Sequence, residues 1–496
     1  MNTLNLETAV TAAPPRPLAE LLTDLRQAGV QVWLAGDRLR YKAPKGALTP
    51  VLMGELRDRK LDIITFLKTV AADTGSVSTI TPMDRQQSLP LSFAQQRFWS
   101  LAQLNLQSPG FNMPMAYRFT GQLERGVLER SLASILQRHE ILRTTFVADN
   151  GQLCQQIAAH LPLPLEWIDL TDVPLEDREA VAQDRANQLA KLPFDLIQGP
   201  LVRFHLLALG ADNHIILWNF HSIICDGTSL DRFFQEFVTL YTALAQGQPD
   251  PLPPLTVQYV DFAHWQRQQL QGETLERLLD YWQGQSRKLP VLPLPTDRPR
   301  PLQPSNQGDR CARLLPKTLN DGLNEVSQSA GTTLFMTLLA AFKVLLYRYS
   351  GQTDLVVNAA IANRQQPQVD TMLGYLRNTL ILRTSLEGSH PEVVPSFRDI
   401  LERVRQVSLA AYQHQDLPFE RLVEDLRPDG VRRGAPLFQT AFALNPPWKG
   451  NQGMTSQCEL PGVTLSSLFG YVYIGTTSYD LAPDHAGNRS RSANGV

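Results

Sequence analysis

Between Leu289 and Pro304 the chain reads Leu-Pro-Val-Leu-Pro-Leu-Pro-Thr-Asp-Arg-Pro-Arg-Pro-Leu-Gln-Pro. Proline lacks a backbone N–H and fixes φ, so this stretch fits neither a helix interior nor the middle of a sheet. It must run extended or as polyproline II. The full 496 residues exceed what one ordinary core encloses, and the proline run marks a boundary between two lobes. Helix-period and strand-period runs alternate on both sides of it. That pattern points to an α/β (α+β) architecture of layered sheets and helices.

Within the first lobe, Ile215, Ile216, Leu217 and Trp218 form an apolar run that leads to His221. Asp226-Gly227 then turns the chain, and Phe233, Phe234 and Phe237 follow at helical spacing. Side chains at such a strand end can face a cleft. A strand-turn-helix joint with a surface histidine fits the same residues. Ser222 beside His221 does not make a hydrolase pair, because adjacent strand residues point to opposite faces. Nor does the chain contain Gly-x-Ser-x-Gly.

Charge and cysteine usage exclude several functional classes. The formal net charge is -2, so no global field recruits nucleic acid or anionic lipid. Cys154, Cys225, Cys311 and Cys458 are scattered without a C-x-x-C pair, which argues against a metal knuckle or a disulfide framework and fits a reducing cytoplasm. Met1–Pro17 lacks the pattern of a signal peptide. The apolar stretch Thr333–Leu346 is too short to span a bilayer and reads as a buried core helix. No membrane or metal role is expected.

At the N-terminus, Leu18–Leu25 has helical spacing, two short alternating runs flank Gly36-Asp37, and Leu48–Leu67 returns to helical spacing. Arg38, Arg40 and Lys42 alternate along the second run, which places three cations on one face. An ordinary solvated edge strand carries the same pattern. The unit closely resembles the TubC-type docking domain of peptide and polyketide synthetase subunits. Gly29-Val-Gln-Val-Trp33, Gly36-Asp-Arg-Leu-Arg-Tyr41 and Lys45-Gly-Ala-Leu-Thr-Pro50 carry the likeness. The resemblance implies that Arg38, Arg40 and Lys42 receive an acidic C-terminal tail of an upstream synthetase subunit by strand addition and charge pairing. So small a unit would also gain from pairing with a copy of itself, a docking-domain homodimer.

From Leu91 onward a second resemblance builds in order. Ser92-Phe-Ala-Gln-Gln-Arg97 opens it, and Arg138-His-Glu-Ile-Leu-Arg-Thr-Thr-Phe146 follows. Then come Tyr259-Val-Asp-Phe-Ala-His-Trp265, Gly374-Tyr-Leu-Arg-Asn-Thr-Leu380, His414-Gln-Asp-Leu-Pro-Phe-Glu420 and Ala435-Pro-Leu-Phe-Gln439. In this arrangement the chain resembles the condensation domain of nonribosomal peptide synthetases. The resemblance implies two chloramphenicol-acetyltransferase-like lobes in a V, with the site in the cleft between them. There an acceptor amine would attack a donor thioester, both borne on phosphopantetheine arms of separate donor and acceptor carrier proteins, with no cofactor bound to the chain itself.

The domain boundaries expected on this basis are 17–68 for the docking unit, 69–88 for a linker and 89–285 for the first lobe. The proline-rich linker occupies 286–304 and the second lobe 305–481, apparently truncated, leaving 482–496 as an irregular, disordered tail.

In the family the catalytic motif is His-His-x-x-x-Asp-Gly, and its second His is usually given the role of accepting or orienting the amine proton. Laid on this chain it gives His221, Ser222, Asp226 and Gly227. A hydroxyl cannot act as a general base near neutral pH, although it can orient an amine. Asp226 is expected to be structural and to pair with Arg364, with Asn378 and Arg143 as further supports of the cleft. Arg377 stands where the family usually has Val. Ser222 leaves two other readings open: a catalytically impaired platform for docking or recruitment, and a truncated fragment without function.

Overall fold

The computed structural model describes residues 21, 30–35, 38–42, 50–64, 79–104, 108–149, 151–299, 307–309, 311, 313, 315–388, 395–426, 438–445, 457–468, 470, 472 and 479–486. A small unit contains Met1–Thr79, and a large one contains most of Ile80–Val496. In the small unit β1 (Gln31–Ala35) and β2 (Arg38–Lys42) form an antiparallel hairpin with Trp33 opposite Arg40. Two residues connect the strands, as a tight hairpin requires. A helix spans Pro50–Asp58, and its hydrogen bonding continues through Arg59 to Ile63. Leu21, Val30, Leu56 and Ile63 are buried. Most of the helix expected at Leu18–Leu25 lies outside the described residues.

The large unit contains a six-stranded sheet in the order β12-β13-β3-β8-β7-β6. Its members are β3 (Asn112–Gly121), β6 (Leu165–Asp169), β7 (Val202–Gly210), β8 (Asn213–His221), β12 (Gln457–Leu460) and β13 (Val463–Ser467). All neighbours are antiparallel except β6 and β7. On one face Ile216, Trp218 and Phe220 pack with Leu128, Leu132 and Ile135 of the helix Arg125–Arg138. Phe233 and Phe237 of the helix Gly227–Ala245 complete that layer. Ile215 and Leu217 face the other way, towards Ala182, Leu189 and Ala190 of the helix Leu175–Ala190. Cover on both faces is why β8 reads as a continuous apolar run rather than an alternating one. A separate hairpin joins β4 (Thr144–Asp149) to β5 (Gln152–Ile157).

The second sheet has the order β10-β9-β11-β14, built from β9 (Asp354–Ile361), β10 (Asn378–Ser385), β11 (Ala441–Asn445) and β14 (Asp484–Ala486). Helices Leu334–Ser350 and Phe397–Gln413 pack on it. Lys343 is fully buried there and donates to Leu382 O at 2.6 Å and Thr384 Oγ1 at 2.9 Å. Desolvation lowers its ammonium to about 7.

Three features differ from the sequence expectation. The strands β12 and β13 come from the far side of the proline run yet extend the first sheet, with Leu465 opposite Phe119. The helix Gly272–Ser286, expected in the first lobe, packs on β10 and on the helix Phe419–Leu426. Trp282 Nε1 fixes it by donating to His414 O at 2.8 Å. Third, Asp484–Ala486 lies inside the segment expected to be an irregular tail, but it pairs in parallel with β11, Ala443 opposite Asp484. The unpaired backbone of an edge strand accepts such a partner whatever its side-chain polarity, so the polar sequence hid the strand. The proline run itself is anchored. Leu292 is buried, and its N–H and C=O both bond the Gln439 side-chain amide, at 2.6 and 2.9 Å.

Candidate active site

β8 ends at His221, and the chain leaves it through a short 3-10 turn, Ser222–Ile224. His221 Nδ1 accepts from the Ile223 N–H at 3.1 Å. The ring proton therefore sits on Nε2, an edge that bonds none of the described residues. Phe98, Phe111 and Phe194 present their rings at 6.4, 5.9 and 5.9 Å from the imidazole. Burial in this collar lowers the imidazole to about 3. His221 is thus a neutral hydrogen-bond donor at physiological pH and a poor proton acceptor.

Ser222 points elsewhere. Its hydroxyl donates to Phe111 O at 2.8 Å, which leaves only its lone pairs to meet a further group. No hydrogen bond joins it to His221.

Asp226 is the N-cap of the helix Gly227–Ala245 and is almost fully buried. Oδ1 accepts from Ser229 N at 2.8 Å and from Arg364 at 3.4 Å, and it lies 2.7 Å from Ser229 Oγ, whose single proton it shares with Gly374 O. Oδ2 accepts from the N–H groups of Leu376 and Arg377 at 2.9 and 3.0 Å. Asp226 and Arg364 therefore lie together, and the carboxylate ties the helix start to the segment before β10. Arg364 also donates to Val369 O, Met372 O and Ser229 Oγ.

The same segment is held from below. Ser229 Oγ lies 2.7 Å from Gly374 O, which shares the hydroxyl proton with Asp226, and Tyr259 Oη donates to Tyr375 O at 2.6 Å. Gly374 has φ +150°, and a Cβ at this position would overlap the Tyr259 ring. Only glycine permits that approach. Helix Phe93–Leu104 closes the cluster. Ser92 and Gln95 cap its start reciprocally, and Gln95 Nε2 reaches Ile223 O at 3.5 Å.

The other expected site residues lie apart from His221. Asn378 is buried, donating to Gln415 O and Leu417 O while accepting from Phe419 N. It fixes the loop that leads to Glu420. Arg143 donates to the carbonyls of Leu136, Gln137, Ala158 and Ala159, all within the first lobe, so it braces that lobe rather than the cleft. His139 is buried against Glu236 at 2.7 Å in a structural pair. The Arg377 side chain is exposed. In the hairpin unit, Arg38, Arg40 and Lys42 occupy alternate positions of β2. Arg40 is exposed, while the side chains of Arg38 and Lys42 lie outside the described residues.

Sequence reasoning missed the collar of Phe98, Phe111 and Phe194, and the Tyr259 and Ser229 supports. Ser229 stands three residues after Asp226, a spacing that an N-cap reading could have used. Nothing local marks Phe111 or Phe194. Burial and Asp226 raise the Asp231 carboxyl to about 7. Burial likewise raises the carboxyl of Glu420. Among the described residues no group of three or more His, Cys, Asp or Glu side chains could hold a metal ion, and no single helix is long and apolar enough to cross a membrane.

Comparison with known proteins places these features in a family. Residues 85–482 match the condensation domain, and residues 18–69 match the TubC N-terminal docking domain. Malpinin synthetase of Mortierella alpina is 40% identical over 398 residues, covering 80% of this chain and 5% of the relative. Chondramide synthase of Chondromyces crocatus is 39% identical over 385 residues, covering 78% of this chain and 10% of that protein. The chain thus spans a small fraction of the curated relatives it matches. Among solved structures, the X-domain in its complex with OxyB from teicoplanin biosynthesis aligns with a TM-score of 0.72 at 28% identity, over 83% of this chain and 87% of that one. The first condensation domain of the calcium-dependent antibiotic synthetase, in complex with a substrate analogue, shares the fold with a TM-score of 0.61 at 22% identity, over 81% and 89% of the two chains.

Proposed function

The chain belongs to the condensation-domain family of nonribosomal peptide synthetases, and from that premise we propose that it forms an amide between a donor thioester and an acceptor amine held at His221. The observation that carries this reading is the neutral His221 in its aromatic collar, directly followed by the Asp226 junction that joins the two halves. In the reaction the amine nitrogen attacks the thioester carbonyl carbon, and its oxygen becomes an oxyanion. The C–S bond then breaks, and the proton lost by the amine ends on the departing thiolate. The products are an amide and a free thiol.

His221 Nε2–H is the donor available to the developing oxyanion. With Nδ1 engaged and the imidazole at about 3, His221 is not the base. The Ser222 hydroxyl gives its proton to Phe111 O, so it can meet the amine only as an acceptor. The amine must therefore arrive neutral, and alignment of the two tethers does most of the work. Absence of a general base corresponds to a rate lower by about 10² to 10⁴.

Both substrates arrive on phosphopantetheine arms of separate carrier proteins in the cytoplasm. The docking unit receives the acidic tail of an upstream synthetase along β2, whose alternate cations, and an outer edge that pairs with no other strand among the described residues, support strand addition. Pairing with a second docking unit is part of the same proposal, since a core so small gains from it.

The test supplies purified chain with matched donor-loaded and acceptor-loaded carriers and follows the condensed product by mass spectrometry. Slow product with the native chain, and faster product with Ser222→His, is expected. Product from Ser222→His alone would show that the native chain has lost amide formation.

A further inference from the structure

Residues 373 to 377 approach the Phe98 side of the His221 collar, with five backbone groups held. Gly374 N–H and C=O both bond Ser229 Oγ, Tyr375 O accepts from Tyr259, and the N–H groups of Leu376 and Arg377 bond Asp226. Leu373, Gly374 and Leu376 are buried, while Tyr375 keeps partial exposure. The Tyr375 ring lies edge-on to Phe98, with centroids 4.8 Å apart. Phe98 in turn meets Phe111 at 5.3 Å and His221 at 6.4 Å. A chain of ring contacts thus runs from Tyr375 to the imidazole.

The Tyr375 hydroxyl has no hydrogen-bond partner among the described residues. The ring is held against Phe98 while the residue keeps partial exposure, so the hydroxyl is free to donate to a ligand that displaces water. Burial, with the carboxylates of Glu420 and Asp226 nearby, pushes this hydroxyl well above the usual tyrosine range. It is therefore a neutral donor throughout the working range of pH. A pinned backbone that presents one free, solvent-accessible donor is an arrangement that a bound ligand can use.

We propose that Tyr375 is a substrate-contacting residue whose hydroxyl donates to the carbonyl of the aminoacyl group on the acceptor thioester, on the Phe98 side of the His221 collar. This rests on the reading that thioester-borne chains enter this cleft. It assigns recognition to a side chain in the segment where sequence comparison singled out only Arg377 and Asn378. The acceptor carbonyl is the chemical feature recognised, independent of the amino-acid side chain.

The experiment titrates the native chain and Tyr375→Phe with the glycyl amide of aminopantetheine, a non-reactive acceptor analogue, by ligand-observed NMR. A second titration uses the analogue with its glycyl carbonyl reduced to methylene. Tyr375→Phe keeps the ring and its contacts, and its melting curve reports on folding. The expected result is affinity for the carbonyl probe weakened roughly 3- to 10-fold, the worth of one neutral hydrogen bond. The methylene probe should bind both proteins equally. Equal binding of the carbonyl probe by both proteins overturns the assignment, and so does an equal loss of both probes in Tyr375→Phe, which marks packing alone. If the native chain binds neither probe, the thioester reading of the cleft fails, and the Tyr375 assignment falls with it.

Discussion

Replacing Asp226 by alanine removes the acceptor for five hydrogen bonds at once. Arg364, 5% exposed at its side chain, is left charged without its carboxylate. Breaking a buried ion pair from one side typically costs 3–5 kcal/mol. The N–H groups of Leu376 and Arg377 lose their acceptor as well, so about 4 kcal/mol is a fair expectation for the whole change. Asp226→Asn should fare little better, because its amide N–H₂ must face either Arg364 or two backbone N–H donors. The assay is urea unfolding followed by tryptophan fluorescence, which reports on the buried Trp218. A double-mutant cycle with Arg364→Met isolates the pair. A coupling of about 2 kcal/mol is expected, since the second change removes the stranded charge. Single changes that each cost under about 1 kcal/mol and add without coupling would refute the claim that this pair joins the two halves.

Other perturbations probe different parts of the structure. Gly374→Ala should destabilise by about 2–4 kcal/mol, because its Cβ meets a Tyr259 ring that is itself pinned at Oη, and a lower melting temperature with no loss of secondary structure at 20 °C checks this. Asp231 is raised in the fold to about 7, so its contribution to stability is full below about 4 and is lost as pH climbs through 7. Asp231→Asn should therefore match the native chain near pH 4 and exceed it at pH 8 by a few kcal/mol, read from unfolding midpoints. Arg38→Glu combined with Arg40→Glu should abolish binding of an acidic peptide to the docking unit, and unchanged affinity in a fluorescence-anisotropy titration would remove β2 as the interface.

How much of this was legible follows from where each interaction lies along the chain. The apolar run before His221, the Gly36-Asp37 hairpin and the helix at Leu334–Ser350 were readable because their causes are local: burial on two faces, turn chemistry and periodicity. Asp226 and Arg364, 138 residues apart, were paired beforehand only because a motif gave each a place. The collar around His221 was not legible. Phe98, Phe111 and Phe194 come from three separate elements, and an aromatic residue at a core-like spacing carries no mark of which cleft it lines. From sequence, Ser222 is a departure from the motif. Its bond to Phe111 O adds what sequence could not, namely that the hydroxyl proton is already engaged. β13 joins a strand more than 300 residues earlier, which nothing local announces, and β14 is three residues within a polar stretch that carries no alternation.

The hairpin of β12 and β13 bears on how the chain comes into being. β3 is flanked by β8 on one side and by β13 on the other. During synthesis β8 follows β3 within about a hundred residues, but β13 emerges more than 300 residues later, an interval of roughly 20–60 s at ordinary ribosomal rates. Throughout that time the free edge of β3 presents unpaired backbone to other nascent chains, a template for intermolecular pairing. Cellular yield should therefore depend on chaperones that shield a half-finished sheet, and on translation speed between Gly121 and Val463, more than on the final stability of the folded protein.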